Sequence, residues 1–253
     1  MRLLFTAATD TGRLRPNNED AVLTDAELGL AVLADGMGGY QAGEVASRLC
    51  CEAVQTSLRA DDGPAGAALG ERLRRAIEAA NQTVYDHARH YPAYRGMATT
   101  VVAVLIDGAR LAVGHVGDSR LYRLRQGQLV GLTRDHTLVQ EQVDAGVLSA
   151  AAARAAQHRN LVTRAVGVAP WVDITLTEHV IAPGDTYLLC SDGLHDGLTD
   201  AEITRILCRA GPPAQTVQAL IDAANAAGGH DNIAVVLIHC VPAVPPEDDA
   251  CPR

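Results

Sequence analysis

Apolar positions along the chain alternate between two periodicities, and this alternation predicts clusters of strands separated by helices. Apolar residues at helical spacing predict one helix around residues 45–54 and a longer one over residues 69–89. Further helices are predicted over residues 135–157, 199–210 and 214–227. Short runs rich in β-branched residues predict strands, at residues 3–9, 28–34, 97–107, 110–118, 119–125, 172–180, 186–191 and 232–239.

Short turns join the strands within each cluster, which favours antiparallel pairing. The runs at 110–118 and 119–125 meet at Gly117–Asp118, and we interpret them as a hairpin. Paired helices between the strand clusters have to cover the outer sheet faces. We therefore predict an α+β fold of two stacked antiparallel β-sheets flanked by helix pairs, an α-β-β-α sandwich, in one domain over residues 1–240. The Pro-rich, acidic tail at 241–253 is predicted to be disordered.

The composition narrows the class of protein and its partners. Hydrophobic residues make up 48% of the 253 residues but aromatic residues only 3%, so aliphatic side chains have to fill the core. The net charge is −9 with no basic run, which argues against nucleic-acid binding. The six cysteines form no Cys-x-x-Cys pair and are expected to be free thiols in a reducing compartment. Because we find no signal peptide and no apolar run of ~18 residues, we expect a cytoplasmic protein without a membrane partner. A monomer is our default expectation for the oligomeric state.

Acidic residues stand beside turns at the ends of several predicted strands. Carboxylates at strand ends can converge at one edge of a sandwich, where they would repel one another unless cations were bound. Ligands that are all oxygen atoms suit Mg²⁺ or Mn²⁺. The sequence has no cluster of His and Cys residues that would indicate a zinc site. The acidic elements are Glu19–Asp20, Asp35–Gly36, Asp118, Asp192–Gly193 and Asp231–Asn232.

The flanking residues add detail to this metal hypothesis. Alternation along a strand sends the side chains of Glu19 and Asp20 to opposite sides, so one can bind a metal directly while the other acts through water. Asp35 is followed by the glycine-rich run GMGG, which lets the Gly36 carbonyl approach a cation closely. Arg15, four residues before Glu19, could hold a phosphate group beside the metals.

Several long segments, in order along nearly the whole chain, resemble the metal-dependent protein phosphatase family. This is the PPM family of type-2C serine/threonine phosphatases, and the similarity is greatest to its compact bacterial members. The segments are RPNNEDA, LADGMGGYQAGEVAS, MATTVVAVLI, VGHVGDSRLYRL, LTRDHTLV, HRNLVTRAVG, YLLCSDGLHD and GGHDNIAVVLI.

The resemblance implies a metal site with two Mn²⁺ or Mg²⁺ ions. Asp35 would bridge the two ions. Glu19 and the Gly36 carbonyl would complete the first ion, and Asp192 and Asp231 the second.

The resemblance also implies the remaining roles. Asp20 would hold metal-bound water, and Asp118, together with Asp192, matches the third-metal position of bacterial members. Arg15 matches the arginine that binds the phosphate group. The position after Asp35–Gly36, where some relatives carry a histidine proposed as general acid, is Met37 here, so the general acid is unassigned.

The implied activity is hydrolysis of phosphoserine and phosphothreonine in proteins. A water or hydroxide between two cations, with a lowered pKa, would attack phosphorus directly. The implied partners are phosphorylated proteins, in particular a bacterial Ser/Thr kinase and its substrates. The alternative is a catalytically silent phosphoprotein-binding regulator of the same fold, which missing ligands would mark. Every expected carboxylate is present, and the absence of a basic track argues against a two-metal nuclease.

Overall fold

Strands and helices follow one another much as the periodicities predict. The computed structural model describes residues 1–38, 42–60, 68–149, 152–153, 156, 158–209 and 211–242. The strands of these residues are β1 (Arg2–Asp10), β2 (Asp20–Asp25), β3 (Leu30–Met37), β4 (Ala98–Thr99), β5 (Val101–Asp107), β6 (Arg110–Val116), β7 (Arg120–Arg125), β8 (Gln128–Gly131), β9 (Thr175–Val180), β10 (Thr186–Cys190) and β11 (Ile233–Val241). The helices are α1 (Ala42–Arg59), α2 (Leu69–His90), α3 (Leu138–Asp144), α4 (Asp192–His195), α5 (Asp200–Leu207) and α6 (Pro213–Ala226), and a 3₁₀ turn spans Pro92–Tyr94.

These strands form two antiparallel sheets. The first has the order β1-β11-β10-β7-β8, and the second has the order β2-β3-β5-β6-β9, with β4 paired to β3. The first and last strands of the fold are neighbours, and their register runs from Arg2 opposite Val241 to Asp10 opposite Ile233. This pairing brings the loop that follows β1 against the loop that precedes β11, at the end of the sandwich where the acidic residues lie.

Aliphatic side chains fill three layers of core. One layer lies between the two sheets and includes Leu33, Val104 and Val236. A second lies between the β3 sheet and the helices α1 and α2, and a third lies between the β11 sheet and the helices α5 and α6. Helix α2 is held in place by buried residues that recur every three or four positions, namely Leu69, Leu73, Ile77, Ala80 and Val84. The predicted α+β sandwich with helix pairs outside both sheets is therefore confirmed.

The predicted hairpin around Gly117–Asp118 is wrong. Strand β6 pairs with β5 and β9 in one sheet, whereas β7 pairs with β10 and β8 in the other. The chain crosses between the sheets at this point, and Gly117 has a φ of 102°, a left-handed conformation that favours glycine. The crossing places Asp118 between the two sheets instead of at the tip of a hairpin.

Other differences concern short elements and boundaries. The strand expected beside Glu19–Asp20, for which no bounds were predicted, is β2, whereas β8 was not predicted. The helix predicted over 135–157 is interrupted. Its first part is α3, which Thr137 caps by accepting a hydrogen bond from the Gln140 amide, and residues 152–153 are helical again; residues 150–151, 154–155 and 157 of that prediction lie outside the described residues. Strand β11 ends one residue beyond the predicted domain boundary at 240, and nearly all of the predicted tail lies outside the described residues. None of the described helices is long and apolar enough to cross a membrane.

Candidate metal centre

The predicted acidic residues come together at one end of the sandwich. Asp20 begins β2 and stands opposite Asp35 of β3 in the strand register. Asp192 begins α4 directly after β10, and Asp231 immediately precedes Asn232 and β11. Asp35, Asp192 and Asp231 border a cavity of about 290 Å³. This cavity is lined by Arg15, Glu19, Asp35, Gly36, Met37, Gly38, Thr100, Asp118, Asn160, Val162, Asp192, Asp231 and Asn232.

Glu19 and Asp20 face different surroundings, as strand alternation predicts. Glu19 lines the cavity, whereas Asp20 is buried and does not line it. The Ser191 hydroxyl donates a hydrogen bond of 2.7 Å to Asp20 Oδ2 and accepts one of 2.8 Å from the Ala234 amide. These two bonds fix the direction of the hydroxyl proton toward Asp20. The other carboxylate oxygen of Asp20, Oδ1, is buried without a hydrogen-bond partner.

The peptide of Asp35 is held by two neighbouring threonines. The Asp35 amide donates to Thr100 Oγ1 at 3.1 Å, and the Asp35 carbonyl accepts from the Thr100 amide at 2.8 Å and from the Thr99 hydroxyl at 2.8 Å. Thr100 Oγ1 also lies 2.8 Å from the hydroxyl of Ser119, the residue after Asp118. Backbone position at Asp35 is therefore set by the β3–β4 region, and the carboxylate remains directed at the cavity.

Close backbone contact explains the glycines that follow Asp35. A Cβ on Gly36 would lie 2.1 Å from the Gly43 carbonyl oxygen and 2.6 Å from the Glu19 carbonyl oxygen. The Gly36 amide donates to that Glu19 carbonyl at 3.0 Å. A Cβ on Gly43 would lie 2.4 Å from Glu19 Oε2. Glycine at both positions lets α1 begin against the residues that form the cavity wall.

Arg15 is placed at the mouth of the cavity. Its Nη2 donates to Asp231 Oδ2 at 2.7 Å, and 52% of its side chain is exposed. This hydrogen bond raises the pKa of Arg15, so the guanidinium is charged at any working pH. The remaining N–H groups of the guanidinium are available to an anionic group that enters from solvent.

Burial and mutual repulsion make the ionised acids unfavourable. Burial, followed by the nearby charges of Asp20 and Asp192, raises the pKa of Asp35 well above its ordinary value. Burial and the charge of Asp118 do the same to the pKa of Asp192. Burial raises the pKa of Asp20 and of Asp118 to about 7 in each case, and it also raises the pKa of Glu19.

The residues present fit a hard divalent cation. Asp192 Oδ1, like Asp20 Oδ1, is buried without a hydrogen-bond partner, and the acidic side chains that line the cavity offer only oxygen atoms to an ion. Their raised pKa values are those of carboxylates that lack a compensating positive charge. Within the described residues, no three His, Cys, Asp or Glu side chains are arranged closely enough to hold an ion as they stand.

Sequence reasoning missed the uncharged residues of the site. The Asn160 side-chain amide donates to Asp192 Oδ2 at 3.2 Å and to Asp196 Oδ2 at 3.0 Å. Asn232 and Thr100 hold the backbone on either side of the cavity. Asn160 lies in a loop that carries no strand-end acidic pattern, and Asn232 was noted only as the neighbour of Asp231.

The chain is similar in sequence and in structure to known proteins. The family model described as protein phosphatase 2C matches residues 15–235. The serine/threonine protein phosphatase PstP of Mycobacterium tuberculosis is 41% identical over 94% of this chain, which spans only 45% of the length of that relative. The serine/threonine phosphatase stp of Listeria monocytogenes is 34% identical over 91% of this chain and 93% of its own length. A crystal structure of the PstP catalytic domain, described as a complex with two manganese ions, superposes with a TM-score of 0.84 at 41% identity and covers 95% of this chain and 99% of that one.

Proposed function

Because the chain belongs to the protein phosphatase 2C family, we propose that it hydrolyses phosphoserine and phosphothreonine in proteins with divalent cations as cofactors. The observation that carries the proposal is the cavity itself. Buried carboxylates with raised pKa values surround a space large enough for a phosphate group, and a half-exposed guanidinium lies at its mouth. Such a site attracts cations first and a phosphate group second.

Two ions, Mn²⁺ or Mg²⁺, would be held by the acids of the cavity wall. We assign Asp35 to both ions, Glu19 and the Gly36 carbonyl to the first, and Asp192 and Asp231 to the second. The two manganese ions of the similar PstP structure support this count. When bound, the ions supply a water of lowered pKa that can attack phosphorus.

A third ion is proposed at the crossing between the sheets. Asp118 is buried there, and its charge raises the pKa of Asp192, which lines the same cavity. Two acids that repel each other in this way would both gain from a cation between them.

The chain's own residues would bind and orient the reacting groups. Arg15 can donate two parallel hydrogen bonds to a phosphate group while it remains beside Asp231. The positive charge of Arg15 would then offset charge that grows on the phosphate oxygens in the transition state. Asp20, fixed by Ser191 through Oδ2, has Oδ1 free to accept a hydrogen bond from a water.

The physiological partners we propose are phosphorylated proteins, among them a bacterial Ser/Thr kinase and the substrates of that kinase. Two of the relatives are bacterial proteins named serine/threonine phosphatases, which supports the substrate class. The described cysteines are free, as is usual in a reducing compartment, which supports action in the cytoplasm. We propose that the protein acts as a monomer, which light scattering of the purified protein would test.

The activity is tested by phosphate release from a phosphothreonine peptide with Mn²⁺ and with EDTA. We expect turnover that requires Mn²⁺ and that falls by at least ~100-fold in Asp35→Asn, because removal of one stabilising group in an active site commonly costs that much. The matched control is Asp107→Asn, which neutralises an aspartate that is 67% exposed at the end of β5. Turnover in EDTA would overturn the metal requirement. Absence of turnover together with intact Mn²⁺ binding would favour the silent regulator instead.

A further inference from the structure

Asn232 joins the loop that follows the first strand to the start of the last strand, beside the candidate metal centre. Its Nδ2 donates to the Thr11 carbonyl at 2.9 Å and to the Asn17 carbonyl at 2.8 Å, and its Oδ1 accepts from the Glu19 amide at 2.8 Å. Its own amide donates to Asp231 Oδ1 at 2.8 Å. One buried side chain therefore contacts both ends of the loop between β1 and β2 and stands next to a proposed metal ligand.

Only one orientation of the Asn232 amide satisfies these partners. Two of them are carbonyl oxygens, which need N–H donors, and the third is an N–H group, which needs an acceptor. A flipped amide would place oxygen against both carbonyls, and aspartate at this position would do the same. Asn232 is only 6% exposed, so water cannot readily replace the bonds that are lost.

The loop held in this way carries two residues of the site. Arg15 lies between the anchored carbonyls of Thr11 and Asn17, and Glu19 is anchored through its own amide. One further backbone bond, from the Arg13 amide to the Gly229 carbonyl at 2.7 Å, joins the same two loops. Side-chain position at Arg15 and Glu19 relative to Asp231 therefore depends on hydrogen bonds made by Asn232.

We propose that Asn232 is a positioning residue that sets two functions separately: its oxygen aligns Glu19 for metal binding, and its two N–H groups align the loop that carries Arg15 for phosphate binding. The inference rests on the proposed function for the identity of the bound groups. It goes further because it assigns one role to each half of a single uncharged side chain.

Two variants separate these halves. Asn232→Ala removes all three side-chain bonds, and we expect the Kd for Mn²⁺ to rise about tenfold or more, as is usual when a group that orients a metal ligand is lost. KM for the phosphothreonine peptide should rise as well. Asn232→Asp keeps an acceptor for the Glu19 amide but loses both donors. We therefore expect a raised KM without a raised Kd for Mn²⁺.

The matched control is Asn81→Ala. Asn81 is also buried, with 1% exposed against 6% for Asn232, and it joins two backbone groups, since it donates to the Ala169 carbonyl and accepts from the Gly167 amide. These partners include none of the residues to which we assign metal or phosphate. Asn81→Ala should lower the thermal midpoint much as Asn232→Ala does, yet leave both the Kd for Mn²⁺ and KM within about twofold of wild type.

Calorimetry with Mn²⁺ alone and steady-state kinetics at 20 °C give the two readouts. A Kd and a KM within twofold of wild type in Asn232→Ala would overturn the proposal, as would equal changes in Asn81→Ala. An equal rise in the Kd for Mn²⁺ in Asn232→Asp and Asn232→Ala would refute the division of roles. If the proposed function itself is wrong, the wild type will release no phosphate. In that case calorimetry with Mn²⁺ still tests whether Asn232 aligns Glu19.

Discussion

Metal-free protein should be destabilised by its own buried acids, and Asp118 is the clearest place to measure this. Asp118 is 5% exposed between the two sheets. Burial first, and the nearby charge of Asp135 second, raise its pKa from 3.8 to about 7. We predict that Asp118→Asn, which cannot ionise, stabilises metal-free protein above neutral pH.

The size and the sign of the stability change follow from the difference between the folded and unfolded pKa values of Asp118. A folded-state pKa above the unfolded value means that folding favours the protonated form of Asp118. The stability of the wild type is therefore intact below about pH 4 and is lost progressively up to about pH 7. A difference of about three pKa units corresponds to about 4 kcal/mol at pH 8. Asp118→Asn should recover up to this amount at pH 8 and almost none at pH 4.

The assay is urea unfolding in EDTA at pH values from 4 to 8, since the pKa values apply to protein without metal. The free energy of unfolding of the wild type should fall with pH more steeply than that of Asp118→Asn. Asp107→Asn, at an exposed position, serves as control and should stay within about 0.5 kcal/mol of wild type throughout. If Asp118→Asn were less stable than wild type at pH 8, the reasoning from burial would be refuted.

Two further predictions concern other parts of the structure. Arg125→Ala should lower the free energy of unfolding by about 3 kcal/mol, measured by urea denaturation, because the buried Asp185 carboxylate loses two 2.7 Å hydrogen bonds. The Mn²⁺-dependent turnover of Arg125→Ala, measured without urea, should match that of the wild type. The reason is that Asp185 precedes β10 whereas Asp192 follows it, so the two residues lie at opposite ends of the strand. Gly43→Ala should weaken Mn²⁺ binding in calorimetry, because its Cβ would lie 2.4 Å from Glu19 Oε2; an unchanged Kd would show that Glu19 is not needed for the ion.

Local sequence patterns predict the long helices and strands. They fail to predict strand pairing where it depends on residues far away in the sequence. Helix α2 and strand β11 have continuous apolar periodicity, so their positions could be read directly. The turn at Gly117–Asp118 looks the same in sequence whether the chain reverses into a hairpin or crosses to another sheet. The difference is decided by the strands available on each side, β9 and β10, which come more than fifty residues later.

The acids of the site could be predicted because each one stands beside a turn and within a segment that resembles a known family. Asn232 lies in such a segment too, but nothing in the sequence indicates which groups its side chain contacts. Three of its partners are backbone groups of the loop after β1, more than two hundred residues away. Any sequence there could offer a carbonyl or an amide, so the contact becomes visible only when β1 and β11 are seen to pair.

Protons and divalent cations should compete for the same buried carboxylates, which ties the stability of the fold to the function proposed for it. At pH 5 the raised pKa values keep Asp20 and Asp118 largely protonated, so an ion has to displace protons in order to bind. At pH 8 the same groups are ionised, and each is repelled by carboxylates near it, Asp20 by Asp231 and Asp118 by Asp135. An ion that binds only the folded state at ~100 times its Kd adds about 2.7 kcal/mol to the free energy of unfolding. A fixed concentration of Mn²⁺ should therefore stabilise the wild type more at pH 8 than at pH 5. Equal stabilisation at both pH values would mean that the ion binds somewhere other than these acids.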